Sequence, residues 1–252
     1  MSVEFNYIHT PYDGYLTIVT WADGTPAQLA AMIQAHDDGL IDLRNYWSIG
    51  DVRNIRLSAI AANPNGAFTT AQDAQTIKMA LTSEVFSGNI HYQVDQINCL
   101  NTEARYNATD INTQTKNSSL LFIDLQNLYA GAFPADELAL YKTFSARYDN
   151  VNGSPNPVAV SGKFHLRAEK EIFGSRTYSS TAEADALSQI NYYTVAANRI
   201  KYVGSGTSKG AWWTRSRDAS GSTNFAYVKS AGTEPATYKA TNNRRVAPFG
   251  AI

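Results

Sequence analysis

Two acids two residues apart, Glu169 and Glu171, are the first candidates for chemistry in this chain. Glycoside hydrolysis needs two carboxyl groups at a defined separation across a sugar. In a strand these two would share a face, whereas in a helix they would point about 200° apart. With Lys170 between them and Phe173-Gly174 after them, they read as a strand-to-helix junction carrying solvated charges, not as a catalytic pair. The four histidines, His9, His36, His91 and His165, are scattered and match neither HExxH nor another zinc spacing. Cys99, in QINCLN, has no nearby pattern that names an activating base and reads as a small buried hydrophobe. Asp149 to Gly153 looks like the start of a calcium loop, but Val160 stands where the twelfth-position acid is required. A weaker loop-bound cation stays open there and at Asp110-Ile111-Asn112. Gly204-Ser205-Gly206 lacks a clear preceding strand and the Lys-Ser/Thr of a phosphate loop, so it reads as a flexible turn. These readings predict no metal site, no cofactor and no enzymatic activity.

A different kind of chemistry is suggested by Trp212-Trp213-Thr214-Arg215-Ser216. Adjacent tryptophans in a strand face opposite sides, so one can fill the core while the other covers a second layer or lines a groove. Arg215 falls on the side of Trp213, where its several donors can tie carbonyls together. Between Arg217 and Arg245 the chain is dense in small polar residues, with Phe225, Tyr227 and Tyr238 interspersed. Tyrosine among Ser, Gly and Asn is the composition of adaptable binding surfaces, because its ring supplies rigid area at small entropy cost. Asn224, Tyr227, Tyr238, Asn242 and Arg244 are the candidate ligand-binding residues. Trp212, Trp213, Arg215, Val246 and Pro248 are the expected scaffold around them.

Composition sets the bounds. At 252 residues the chain can hold one large or two small domains without covalent staples. Charged residues are 17%, below the usual quarter, while 15 Tyr, 10 Phe and 4 Trp give a β-rich, polar-surfaced character. A formal charge of −1 argues against nucleic acid, which requires clustered Lys and Arg. The one basic concentration, Arg215, Arg217, Arg244 and Arg245, reads as ordinary pairing with carboxylates or carbonyls. A single cysteine excludes an internal disulfide framework and fits folding in a reducing cytoplasm. No apolar run approaches the ~20 residues that span a bilayer, and MSVEFNY does not open a signal peptide. A soluble protein with no membrane insertion is expected.

The positioning elements read as α+β, a mixture of short strands and helices. Residues 1–22 form an extended N-terminal segment, and 23–252 a single domain with a possible sub-boundary in the breaker-rich loop 150–157. Thr25, Pro26 and Gln28 make a capping box for a helix with Leu29, Met32 and Ile33 on its apolar stripe and Gly39 at its end. Strands are predicted over 52–60, 77–86, 91–97 and 158–166, and helices over 120–129 and 136–148. Residues 101–119, poor in apolar side chains, read as a long surface loop. Ser180 and Glu183 cap a further helix carrying Leu187 and Ile190. Short runs at 225–228 and 246–251 complete the strands.

Four ordered blocks carry a resemblance. Glu169–Ser175 (EKEIFGS), Ala196–Tyr202 (AANRIKY), Trp212-Trp213 with Arg215-Ser216, and Val246–Phe249 (VAPF) resemble a domain family of unknown function found in structural proteins of tailed bacteriophages and in gut bacterial surface proteins. The similarity continues more weakly upstream through WADGTPAQLAAMIQAHDDGLIDLRNYWSIGD. Thr214, Arg217 and Arg244-Arg245 depart from the family's usual residues. The order of Trp pair, Arg, polar loop and closing strand is also similar to the C-type-lectin-like fold of the formylglycine-generating-enzyme type, although Cys99 alone cannot supply that enzyme's cysteines. The resemblance implies a virion surface protein made in the host cytoplasm: a tail or head fibre component or receptor-binding protein. Its implied partners are other virion proteins and a host cell-surface glycan or protein, in a homo-oligomer, with a trimer expected because fibre-type virion proteins are commonly trimers. An architectural capsid-decoration or tail-assembly subunit is the alternative, and a glycan-degrading enzyme the third reading. In a bacterial host, the Asn107-Ala108-Thr109 sequon carries no meaning.

Overall fold

The structure is a computed structural model and describes residues 7–10, 14–110, 119–149, 158–185, 187–221 and 223–252. In chain order it begins with strands β1 (Tyr7–Thr10) and β2 (Gly14–Thr17), helix α1 (Pro26–Asp37), and strands β3 (Val52–Leu57), β4 (Gln75–Ser87), β5 (Ile90–Gln96), β6 (Asn98–Cys99) and β7 (Ala104–Arg105). Helix α2 (Leu120–Asp124) runs on into a π-helical turn, Leu125–Tyr129, and is followed by α3 (Ala135–Leu140), β8 (Phe144–Tyr148) and β9 (Val158–Gly162). Helices α4 (Glu169–Phe173) and α5 (Thr181–Asp185) precede β10 (Lys201–Val203), β11 (Lys209–Gly210), β12 (Trp212–Arg217), β13 (Asn224–Val228), β14 (Pro235–Lys239), β15 (Asn243–Arg244) and β16 (Phe249–Ala251). Strand takes 33% and helix 23%, a mixed α+β composition weighted to short strands.

The central sheet is antiparallel with the order β16-β5-β4-β3, so the last strand of the chain closes beside the fifth, at the edge opposite β3. β3 alternates exposed Asn54 and Arg56 with buried Ile55 and Leu57, the period-two pattern of a sheet with one wet face. Around it lie a three-stranded sheet β12-β13-β14, a mixed sheet β11-β10-β6 and the pairs β1-β2, β8-β9 and β15-β7. α1 begins where its sequence predicts. Gln28 N–H donates to Thr25 Oγ1 at 3.3 Å, and Thr25 N–H to Gln28 Oε1 at 2.9 Å. Leu29, Met32 and Ile33 are buried, and Gly39 ends the turn at φ +73°, a region that only glycine enters without a Cβ penalty. Leu16 and Trp21 of the N-terminal segment belong to the main core, where Trp21 meets Trp47 edge-on at 5.8 Å.

Three predicted elements differ from what forms. The helix expected over 136–148 stops at Leu140, and Phe144–Tyr148 is a strand paired with β9, Tyr148 opposite Val158. Ala146 and Tyr148 are buried while Ser145 and Arg147 are exposed, so a period of two overrides the helical propensity of the preceding residues. The loop expected over 101–119 buries Ala104 and Tyr106, and Tyr106 stacks on Phe225 at 3.5 Å between ring centroids. Its residues 111–118, like the breaker segment 150–157, lie outside the described residues. α5 ends at Asp185, short of Leu187 and Ile190, although Ser180 Oγ does accept from Glu183 N–H at 3.1 Å.

β12 divides the interior in two. Trp213 joins the main core, while Trp212 faces a smaller cluster of Cys99, Ile172, Tyr193, Val228 and Ala247, the opposite-face placement that adjacent strand residues require. The closing strand is packed so closely that a Cβ on Gly250 would lie 2.6 Å from Tyr141 Cδ1. Gly250→Ala should therefore destabilise the fold by about 1–3 kcal/mol through overpacking. A urea midpoint equal to that of the wild type would show that β16 has room to shift.

Candidate functional site

Beneath the C-terminal half runs a buried ionic network that the sequence did not announce. Arg167, between β9 and α4, is fully buried and grips Asp95 of β5, with Nε to Oδ1 at 2.9 Å and Nη2 to Oδ2 at 2.5 Å. Its Nη1 donates to Gln93 Oε1 at 2.7 Å, and its guanidinium lies 3.6 Å from the centre of the Phe249 ring. Tyr193 and Thr82 hydroxyls also donate to Asp95. Burial pushes the Asp95 carboxyl up, but the Arg167 guanidinium outweighs it and holds it below the usual range. Arg215 of β12 donates to Glu171 Oε2 at 2.6 Å and to the carbonyls of Leu166 and Arg147 at 2.8 and 2.7 Å. It ties carbonyls as its type suggests, those of the 147 and 166 segments.

The solvated reading of Glu169 and Glu171 is corrected by this geometry. Glu169 is fully buried and accepts backbone N–H bonds from Thr177, Tyr178 and Ser179 at 2.7 to 3.2 Å, so it organises the loop before α5. Glu171 is buried too, its carboxyl held low because the Arg215 and Arg167 guanidiniums outweigh desolvation. A carboxylate fixed in this way is a poor general acid. It lines a cleft of about 550 Å³ together with Thr82, Glu84 and Gln189.

Of the candidate binding residues, the structure brings Tyr227, Tyr238 and Arg244 together. Phe225 opposes Tyr238 and Tyr227 opposes Ala236 in the β13-β14 register, so both tyrosines lie on the face that carries Phe225. Arg244, from β15, lays its guanidinium 4.4 Å from the Tyr227 ring centre and 3.8 Å from that of Tyr238. Such contacts contribute about 0.5–2 kcal/mol each. Tyr227 is anchored inwards, edge-on to Trp213 at 6.2 Å, while Tyr238 is 37% exposed. Asn224 pairs with Lys239 and by alternation faces the other side of the sheet from Tyr227, so it is not part of this face. Asn242 sits in the turn from β14 to β15, where its N–H bonds to Lys239 O at 3.0 Å.

The other arginines pair as expected: Arg217 with Asp149 at 3.0 Å, and Arg245 with Glu103 at 3.7 Å. Arg244 donates Nη1 to Asn243 O at 2.9 Å and meets two rings besides, its buried Nε without a hydrogen-bond partner among the described residues. Val246 and Pro248 serve the scaffold, their carbonyls accepting from Leu100 and Gln96 N–H. Trp213 Nε1 donates to Ala104 O at 2.8 Å and Trp212 Nε1 to Arg199 O at 3.2 Å. Asp149 and Asp110, the possible cation ligands, are engaged by Arg217 and by Lys239 and Thr241. Among the described residues no three His, Cys, Asp or Glu side chains are grouped to hold a metal ion. Burial pushes the Cys99 thiol up to about 12 and His165 down to about 4, so both are uncharged at neutral pH. His91 pairs with Asp37 at 2.8 Å, and the His9 side chain is outside the described residues.

Compared with protein-family models, curated proteins and solved structures, the chain matches none.

Glu183 supplies a test of the network. It is 1% exposed, with Arg215 Nε 4.0 Å away and Ser216 beside it. Burial pushes its carboxyl up to about 7 from 4.5, with Arg215 restraining the rise. The folded state thus binds more protons than the unfolded between those values, and stability falls as pH rises through the window. Glu183→Gln should abolish that fall and gain roughly 1–3 kcal/mol over the wild type at pH 8. Parallel pH profiles of the two proteins in urea unfolding would refute the assignment.

Proposed function

We propose that this protein is a bacteriophage virion surface protein, a tail or head fibre component or receptor-binding protein that contacts the host surface without catalysing a reaction. The observation that carries the binding role is the Tyr227–Arg244–Tyr238 face. Exposed Tyr238 lies against the Arg244 guanidinium, which also meets Tyr227, and Tyr227 is backed by the buried Trp213. Preorganisation of this kind lowers the ordering cost of binding. The phage setting rests on the four blocks EKEIFGS, AANRIKY, WWTRS and VAPF. In the same reading, the region from Trp212 to Ala251 is C-type-lectin-like, with the β12-β13-β14 sheet presenting the polar segment 217–245. The ligand is a host glycan or surface protein, and the subunit is made in the host cytoplasm and oligomerises in the particle. A glycan-hydrolase reading loses support because Glu169 and Glu171 are both spent on structure.

Tyr238→Ala should reduce adsorption of the purified protein to host cells or their cell-wall glycans by about tenfold or more, as expected for an aromatic anchor. Folding stability should fall by at most about 2 kcal/mol, the size of the lost Arg244 contact, leaving the protein folded. Adsorption equal to the wild type would remove the face from the binding role.

An architectural reading draws on the N-terminal hairpin. Among the described residues β1 and β2 pair only with each other, which leaves outer edges able to add to a neighbour's sheet. Removing residues 1–15, which spares Leu16 and Trp21 in the core, should then abolish incorporation into particles without unfolding the domain. Normal incorporation would exclude this anchor.

A further inference from the structure

The block Ala196–Tyr202 resembles scaffold, yet its Asn198, Ile200 and Tyr202 line an open cleft of about 250 Å³. Parallel pairing of β10 with β6 sets Tyr202 beside Asn98, and Lys78 of β4 forms part of the same wall. The turn that follows is not the flexible one its sequence suggests. Gly204 N–H bonds to Cys99 O at 2.9 Å, Gly206 N–H to Val203 O at 2.9 Å and Val203 N–H to Ser208 O at 2.8 Å. Gly204 sits at φ +53°, and any Cβ there would collide with Asn101. Asn98 makes the floor rigid: its Nδ2 donates to Thr76 O and Gly204 O, and its Oδ1 accepts from Lys78 N–H. A strand does precede this glycine turn, and a lysine does stand beside it, but the lysine comes from β4, far away in sequence.

The cleft is therefore a formed concavity with unspent groups around it. Lys78 is exposed and makes no ion pair among the described residues. Ser205 is exposed and also lines the cleft. Tyr202, at 43%, is more exposed than Tyr238, and a second tyrosine, Tyr192, lines the same space. Asn198 donates its amide to Tyr192 O at 2.7 Å, which fixes its carbonyl end in place. Two aromatic rings suit the apolar face of a sugar, an amide and a hydroxyl suit its hydroxyl groups, and the lone ammonium suits one anionic substituent. The volume lies below the ~300–1,000 Å³ of pockets for drug-sized ligands, which limits the occupant to about one ring.

We propose that this cleft is a second binding site, distinct from the Tyr238 face, for a single sugar ring bearing a carboxylate or phosphate group. None of its lining residues belongs to the Tyr227–Arg244–Tyr238 face, so it stands or falls independently of that face. The test is titration of the full chain with D-glucuronate, D-glucose 6-phosphate and D-glucose, followed by heteronuclear NMR. At least one acidic sugar should bind about tenfold more tightly than glucose. Lys78→Met should erase that preference, and Tyr202→Ala should weaken acidic-sugar binding by about tenfold. Both variants should melt like the wild type because both side chains are exposed, and Tyr238→Ala should bind the sugars unchanged. The carboxylate and phosphate arms identify which anion the site takes. The proposal is overturned if neither acidic sugar binds at about 10 mM, if glucose binds equally well, or if Lys78→Met keeps the preference in a folded protein.

Discussion

The Arg167–Asp95 ion pair is the interaction on which the C-terminal half depends. Taking two charges out of water costs several kcal/mol per ion, and that cost is met only with near-ideal geometry and further hydrogen bonds. Here the guanidinium meets the carboxylate through two nitrogens, and Gln93, Thr82, Tyr193 and the Phe249 ring complete the shell. Those partners come from β4, β5, β16 and the turn before residue 196. The shell around the pair is complete only when all of these elements are in place. From Arg167 the network passes through Glu171 to Arg215 of β12, joining the central sheet to the sheet that carries the tyrosine face.

A chain with few charged residues thus commits many of them to its interior. Both candidate binding regions present an exposed tyrosine, Tyr238 in one and Tyr202 in the other. They differ in how they are held. The Tyr238 face is set by cation–π contact and by the two-sided packing of β12, with Trp213 beneath Tyr227. The Tyr202 cleft is set by backbone bonds of a tight glycine turn and by the saturated amide of Asn98.

Local patterns in the sequence marked what is locally caused. The Thr25 capping box, the β4 and β5 strands and the opposite-facing tryptophans all follow from neighbouring residues and form where expected. The failures share a cause as well. Phe144–Tyr148 is a strand because β9 lies beside it, and Ala104 and Tyr106 are buried because β15 and Phe225 cover them. Glu169 and Glu171 look like solvated charges until Arg215 and the 177–179 amides are placed around them. Composition groups Asn224 with the tyrosines, and the alternation of β13 turns it to the other face.

The sequence by itself determined the α+β class, the first helix, most strands and the segment richest in tyrosine, because periodicity, caps and composition act over a few residues. Only the tertiary structure decided which charges are buried, which tyrosines share a face and which lysine stands beside the glycine turn. Arg167 and Asp95 are 72 residues apart, and Asn98 and Gly204 are 106 apart. No local pattern can encode a contact whose partners are brought together only when the sheets close.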